Sequence, residues 1–155
     1  YGVTLSGNTI YSCGKRNLLI EDSRLINIGS NHFRRHTPAF GAGVRLLRSQ
    51  DCTITGCTFH DESEQGQTSG ASLLELERCE RVAITGCALS DGVPYGIDAK
   101  ACSMVVITGC TIAETRHPPH ASGALRFSGR GDGNRVSLNA IAGDIEIGPE
   151  SGVAE

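Results

Sequence analysis

The chain writes one hexapeptide three times. Ile54-Thr55-Gly56-Cys57-Thr58-Phe59 returns as Ile84-Thr85-Gly86-Cys87-Ala88-Leu89 and again as Ile107-Thr108-Gly109-Cys110-Thr111-Ile112. Looser copies are Leu5-Ser6-Gly7-Asn8-Thr9-Ile10, Ile20-Glu21-Asp22-Ser23-Arg24-Leu25 and Val136-Ser137-Leu138-Asn139-Ala140-Ile141. Each runs apolar, polar, turn residue, small polar or Cys, small, apolar. The unit is too short and too rich in turn formers for a helix. It predicts two short strands meeting at a tight corner.

Aligned on Ile20, Ile54, Ile84, Ile107 and Val136, the copies are 34, 30, 23 and 29 residues apart. A constant unit with a variable period is the signature of a solenoid whose loops differ in length. Ten residues before the key apolar position lies another: Ile10, Val44, Leu74 and Ile97. In the last copy Leu125 lies eleven before Val136, the extra residue falling in the Gly129 to Gly133 turn. Each coil therefore carries three strands, the first alternating inward and outward as in Val44-Arg45-Leu46 and Leu74-Glu75-Leu76. Three strands per coil, stacked in register about 4.8 Å apart, predict an all-β fold: a right-handed parallel β-helix of about five coils.

The 155 residues suffice for one such domain over residues 1–155, with residues 142–155 holding a last strand, Asp144-Ile145-Glu146-Ile147, and a polar tail. The ends of a β-helix expose unpaired strands. No amphipathic helix is visible at either end, so the expected caps are irregular segments, the remainder of a longer chain, or a second subunit in a homo-oligomer. The opening at Tyr1, without Met, leaves a mature chain and an excerpt of a longer one both open.

A net charge of −3 gives no electrostatic reason to expect nucleic acid or an anionic membrane as partner. Of seven Cys, three (Cys57, Cys87, Cys110) share one repeat position, and Cys79 and Cys102 share another. Cys recurring in this way is expected as a small buried side chain stacked on its neighbours, not as a disulfide framework. No Cys or His spacing matches a zinc site, and no metal ligand is assigned.

The long insertions all fall between the last apolar residue of one coil and the first of the next: 25 to 44, 59 to 74, 89 to 97 and 112 to 125. Insertions gathered on one corner of a solenoid often build its binding face. The loops so defined hold all five His (His32, His36, His60, His117, His120), with Arg34, Arg35, Arg116, Asp61, Glu62 and Asp91. His is the side chain best suited to proton transfer near neutral pH. Beside the loops, the outward positions of the first strands form a column: Tyr11, Arg45, Glu75, Asp98, Arg126, Glu146. A second column runs Leu47, Glu77, Lys100, Ser128. Glu75 beside Asp98 is a like-charge pair that raises one carboxyl pKa unless a cation intervenes. A solvent-exposed ladder of ion pairs explains the same columns without function.

The coil pattern resembles the pectate-lyase-like superfamily of parallel β-helix proteins. Tyr95-Gly96-Ile97-Asp98-Ala99-Lys100 resembles the Tyr-Gly-Phe-Asp-Pro-His segment of mannuronan C5-epimerases, with Ala99 in place of Pro and Lys100 where that family has its catalytic His. The resemblance implies a carbohydrate-active protein, extracellular or at the cell surface, acting on an acidic, uronate-containing polysaccharide by lyase or epimerase chemistry. It implies Tyr95, Asp98, Lys100, Arg126 and His117 as the catalytic set. Arg45, Glu75, Glu77, His60 and His120 are then substrate-binding, with no obligatory cofactor and Ca²⁺ as the one ion such acidic residues would hold. The alternative is a non-catalytic, glycan-binding or structural β-helix segment of a larger surface, adhesin or tailspike-like protein.

Overall fold

The computed structural model describes residues 2–11, 13, 15–36, 43–63, 70–117 and 123–154. Its strands are numbered in chain order. The sheet formed by the first strand of each coil contains β3 (Leu18–Glu21), β6 (Val44–Leu47), β9 (Leu74–Glu77), β12 (Tyr95–Lys100), β15 (Gly123–Ser128) and β18 (Asp144–Ile147). The second sheet contains β1 (Val3–Ser6), β4 (Ile26–Gly29), β7 (Gln50–Thr55), β10 (Glu80–Thr85), β13 (Ser103–Thr108), β16 (Asn134–Ser137) and β19 (Val153–Ala154). The third contains β2 (Thr9–Tyr11), β5 (His32–Arg35), β8 (Thr58–Asp61), β11 (Ala88–Ser90), β14 (Thr111–Ala113) and β17 (Ala140–Ala142). Every pairing is parallel, each strand lying against its equivalents in the coils before and after. This is the expected right-handed all-β solenoid with three strands per coil and no helix among the described residues.

Three inward columns fill the rod. The second sheet contributes Leu5, Ile28, Ile54, Ile84, Ile107 and Val136. The third contributes Ile10, Phe33, Phe59, Leu89, Ile112 and Ile141. The first contributes Leu18, Val44, Leu74, Ile97, Leu125 and Ile145. In the middle coils these side chains are fully buried, each stabilising the fold by about 1.5–3 kcal/mol relative to exposure. Phe33 and Phe59 stack with ring centroids 5.1 Å apart.

The first coils are registered differently from the sequence alignment. Ile20 lies in the first sheet opposite Leu46, and the place assigned to it in the key column belongs to Ile28. Ile10 is a third-sheet residue, so Leu18 heads the first-sheet column; Leu19, not Tyr11, lies beside Arg45. The corner position given to Ser23 is held by Asn31. The cause is local. The corner is turned by a residue in the left-handed region, Gly56, Gly86 or Gly109 in the repeats the sequence displays, but Ser30 (φ 53°) here. Without Gly the motif is invisible.

Asn holds the two ends of this corner column and Cys its middle, yet both engage equivalent acceptors. Asn31 Nδ2 donates to the carbonyl of Leu5 (2.8 Å), and Asn139 Nδ2 to that of Ile107 (2.9 Å). In between, the thiols of Cys57, Cys87 and Cys110 approach the carbonyls of Ile28, Ile54 and Ile84 at 3.7, 3.6 and 3.7 Å. A thiol is a weak donor, but it is small enough to stack in a buried column. All the Cys are free thiols.

The long connections do leave from one corner, between the third and first sheets. Two of the expected loop histidines are not in loops: His32 and His60 occupy outward positions on β5 and β8. Alternation puts them there, each preceding or following an inward Phe. His36 follows β5 and His117 follows β14; His120 lies outside the described residues.

Candidate functional site

The outward face of the first sheet carries an ordered set of charges because β6, β9, β12 and β15 stack in unbroken register and β18 joins them after one shift: Arg45, Glu75, Asp98, Arg126 and Glu146 are successive partners. Glu77 and Lys100 pair in the neighbouring column. An open groove is lined by Arg45, Glu75, Glu77, Asp98, Lys100 and Arg126. At its centre Arg126 grips Asp98 with two parallel hydrogen bonds, Nε to Oδ1 at 3.0 Å and Nη2 to Oδ2 at 2.6 Å. The fork geometry of the guanidinium matches a carboxylate in this way. Its plane lies over the Tyr95 ring, 4.5 Å from the centroid, and Tyr95 Oη donates to Glu146 Oε2 at 2.6 Å.

Tyr95 stands opposite Gly123 in the regular pairing of β12 with β15. The pairing of β15 with β18 shifts register between Gly123 and Leu125, and the Tyr95 ring lies directly over Gly123. A Cβ at Gly123 would meet Tyr95 Cε1 at 2.3 Å, so the ring needs a residue without a side chain beneath it. The hydrogen bond to Glu146 raises the Tyr95 pKa, assisted by burial. The phenol therefore stays protonated at neutral pH and is a proton donor, not a base.

At the other end of the groove Arg45 Nη2 bonds Glu77 Oε2 at 2.5 Å, and its Nη1 stands 3.8 Å from Glu75 Oε2. Glu75 Oε1 accepts from the Ser72 amide at 3.0 Å. Burial raises the Glu75 pKa, and the Asp98 charge adds to the rise against the lowering pull of Ser72 and Arg45. The predicted like-charge effect thus falls on Glu75, with desolvation the larger cause. A raised carboxyl pKa means that the folded state binds the proton more tightly than the unfolded one, so ionised Glu75 weakens the fold. Wild-type protein gains stability from this group as pH falls through a window just above the ordinary Glu value of 4.5. Glu75→Gln is expected to raise the melting midpoint by a few degrees at neutral pH, and this gain should vanish near about pH 4; a pH-independent difference between the two proteins would refute this account.

The structure thus assembles Tyr95, Asp98, Lys100, Arg126, Arg45, Glu75 and Glu77 on one face. His117 is exposed on the loop after β14 and does not line the groove; His60 is on the third sheet. Lys100 is exposed. Glu146 as hydrogen-bond partner of Tyr95, and Gly123 as the seat of its ring, carried no signal in the sequence, because both depend on how side chains turn and not on the repeat pattern. The acidic residues do not form a Ca²⁺ cage: both oxygens of Asp98 face Arg126, Glu75 faces an amide and Arg45, and no three His, Cys, Asp or Glu converge among the described residues.

Fold and groove together define a parallel β-helix protein with a charged first-sheet face. The chain belongs to the family described as the right handed beta helix region, whose model matches residues 1–147. Among solved structures it is similar to a protein from Parabacteroides merdae provisionally assigned as a glycosyl hydrolase, with a TM-score of 0.61 and 14% identity over 94% of this chain and 75% of that one. It is also similar to the A-module of the mannuronan C-5 epimerase AlgE4 from Azotobacter vinelandii, with a TM-score of 0.53 and 12% identity over 99% of this chain and 58% of that one. The chain thus spans a little over half the length of the epimerase module. At these identities the likeness is one of fold. No curated protein matches the sequence.

Proposed function

We propose that the chain binds an acidic, uronate-containing polysaccharide along the first-sheet groove and acts on it by lyase or epimerase chemistry. The observation that carries this reading is the Tyr95–Arg126–Asp98 assembly with Lys100 beside it: a proton donor, two cations and a carboxylate on adjacent strands. Both reactions begin by removing the proton α to a uronate carboxylate, and both need cations to stabilise the negative charge that develops there. Arg126, fixed by Asp98 and stacked on Tyr95, and the exposed Lys100 would meet the carboxylate. Glu75, whose pKa burial raises, is a stronger base than an ordinary carboxylate and is the group to take the proton. Tyr95 would return a proton to the sugar or to the leaving oxygen, with Glu146 holding its hydroxyl. The similarity of fold to an alginate-epimerising module and to a provisionally assigned glycosyl hydrolase supports a carbohydrate ligand.

A second reading has its own support. Arg45 and Arg126 are already matched by Glu77 and Asp98, as in an ion-pair ladder on a non-catalytic glycan-binding or structural segment. The test is a screen of alginate, polygalacturonate and glycosaminoglycans, with and without Ca²⁺, for ultraviolet absorbance of unsaturated uronate and for solvent deuterium entering the sugar. Absorbance identifies a lyase; deuterium without absorbance identifies an epimerase. Either activity should fall by about 100-fold or more in Arg126→Ala and in Tyr95→Phe. Binding without turnover establishes the glycan-binding form of the second reading, and neither binding nor turnover overturns the first reading in favour of a structural segment.

A further inference from the structure

The groove as lined is balanced in charge: Arg45, Lys100 and Arg126 stand against Glu75, Glu77 and Asp98. A balanced groove gives an acidic polymer no net attraction. One more cation adjoins it. Arg16 lies in the turn before β3, two residues ahead of Leu18, and Leu18 pairs with Val44 and Val44 with Leu74. Ser72, two residues ahead of Leu74, is therefore its equivalent two coils on. The Ser72 amide holds Glu75 Oε1 at 3.0 Å, and the Arg16 charge is felt at the Glu75 carboxylate. The backbone beside Arg16 is fixed: the Asn17 amide donates to the Gly43 carbonyl at 2.9 Å, and Asn17 Nδ2 donates to the Arg34 carbonyl at 2.9 Å. Arg16 thus has a set place at the Arg45 end of the groove.

Hydrogen bonding is incomplete at this same end. Buried polar groups nearly always have a partner, and an exception calls for a cause. Among the described residues the exceptions are Arg16 Nε, Arg45 Nε and Ser72 Oγ, all gathered around Glu75. Ser72 is fully enclosed, but both guanidiniums are part-exposed and within a ligand's reach. Arg45 commits Nη2 to Glu77, and its Nη1 stands 3.8 Å from Glu75. Arg16 forms no ion pair among the described residues. Two guanidiniums on adjacent coils, each short of a partner, suit a planar carboxylate. Lys100, the other cation here without an ion pair among the described residues, lies in β12. Its level is three coil steps from that of Arg16, about 14 Å along the rod. Different sugars of one chain would meet the two, with the level of Glu75 between them.

We propose that Arg16 and Arg45 form a second carboxylate subsite, so that the ligand of this groove carries a uronate at each end of the stretch it covers. This subsite rests on the reading of the groove as a polyuronate site and extends it: Arg16 turns a balanced groove into one with four cations against three carboxylates. The test is NMR of the labelled protein titrated with hexamannuronate and hexagalacturonate, with cellohexaose as the uncharged comparison. At least one hexauronate should shift the Arg16 and Arg45 Nε–H signals together with the Lys100 amide, and cellohexaose should move none of them. Arg16→Gln should weaken that binding about tenfold, the loss of a charge-assisted hydrogen bond, with an unchanged circular dichroism spectrum. Arg135→Gln removes the same charge from an exposed position on the second sheet and should leave the affinity unchanged. A hexauronate that moves Lys100, leaves both Nε–H signals in place and binds Arg16→Gln as tightly as wild type overturns the subsite while the groove reading stands. Equal weakening by Arg16→Gln and Arg135→Gln also overturns it, since net charge alone would then matter. No binding of either hexauronate overturns both the subsite and the groove reading.

Discussion

Arg35→Ala is expected to destabilise the fold by about 3–5 kcal/mol, because it strips the partner from a buried charge. Arg35 and Asp61 have side chains 2% and 0% exposed and form a two-pronged ion pair, Nε reaching Oδ2 at 3.1 Å and Nη2 bonding the same oxygen. The guanidinium also donates to the carbonyls of Ala71 (2.7 Å) and Val93 (2.9 Å). Those carbonyls precede β9 and β12, so one side chain on β5 ties together three successive corners where the long insertions leave the rod. Asp61 has its other oxygen satisfied by the amide and hydroxyl of Ser63. Removing Arg35 strips Asp61 of its cation in a dry site and takes one donor from each of the Ala71 and Val93 carbonyls. A small domain holds about 5–15 kcal/mol in all, and a chain of this size loses about 2–4 °C of melting midpoint per kcal/mol. The variant should therefore melt about 10 °C lower. Arg35→Met combined with Asp61→Leu should recover most of the loss, since an apolar pair of similar volume avoids the stranded charge. A single-variant loss below about 1 kcal/mol would place this pair with ordinary exposed ion pairs and remove its role as a staple.

Nothing in the sequence distinguishes Arg35 from Arg34, its neighbour. Both stand among loop cations when the chain is read as text. Only the strand alternation of His32, Phe33, Arg34 and Arg35 separates them, turning Arg35 inward and Arg34 to solvent. That alternation was hidden because the coil containing it lacks the Gly corner. The middle coils were legible for the opposite reason. There Gly56, Gly86 and Gly109 mark the corner, and the Ile and Cys columns repeat at fixed distances from it. The outward charges of the first sheet follow directly once those columns are aligned, so Arg45, Glu75, Asp98, Arg126 and Glu146 could be placed as neighbours without coordinates. Pairing among them could not. Which carboxylate meets which guanidinium depends on how the side chains turn. Placing His60 in a loop failed by a single position: counting from Phe59 as the last apolar residue ended the strand too soon, although β8 continues to Asp61.

Asn134→Val is the substitution that the coil pattern itself recommends, and it is expected to cost about 3 kcal/mol or more. Asn134 continues the inward column of Cys52, Val82 and Val105 on the second sheet, where hydrophobic burial alone would favour Val. It is 1% exposed and has three partners: Oδ1 accepts from the Val105 amide at 2.8 Å, and Nδ2 donates to the carbonyls of Cys102 (2.8 Å) and Ser151 (2.7 Å). These bonds tie the end of the Gly-rich turn to the coil before it and to the segment after β18. The approach there is so tight that a Cβ at Gly131 would lie 2.0 Å from the Cys102 carbonyl oxygen. Valine would fill the space but satisfy none of the three groups, and each orphaned buried polar group costs about 1–3 kcal/mol. Asn134→Asp tests the same point from the other side. It keeps an acceptor for Val105 but sets a carboxylate against two carbonyls, and should be at least as damaging at neutral pH. Unfolding midpoints report the size of the loss. Amide hydrogen exchange reports its place: the Val105 amide should lose protection in Asn134→Val while Ile84, two coils from the change, keeps it. If Val is tolerated and Val105 stays protected, the turn is held by its backbone alone and the buried amide adds nothing.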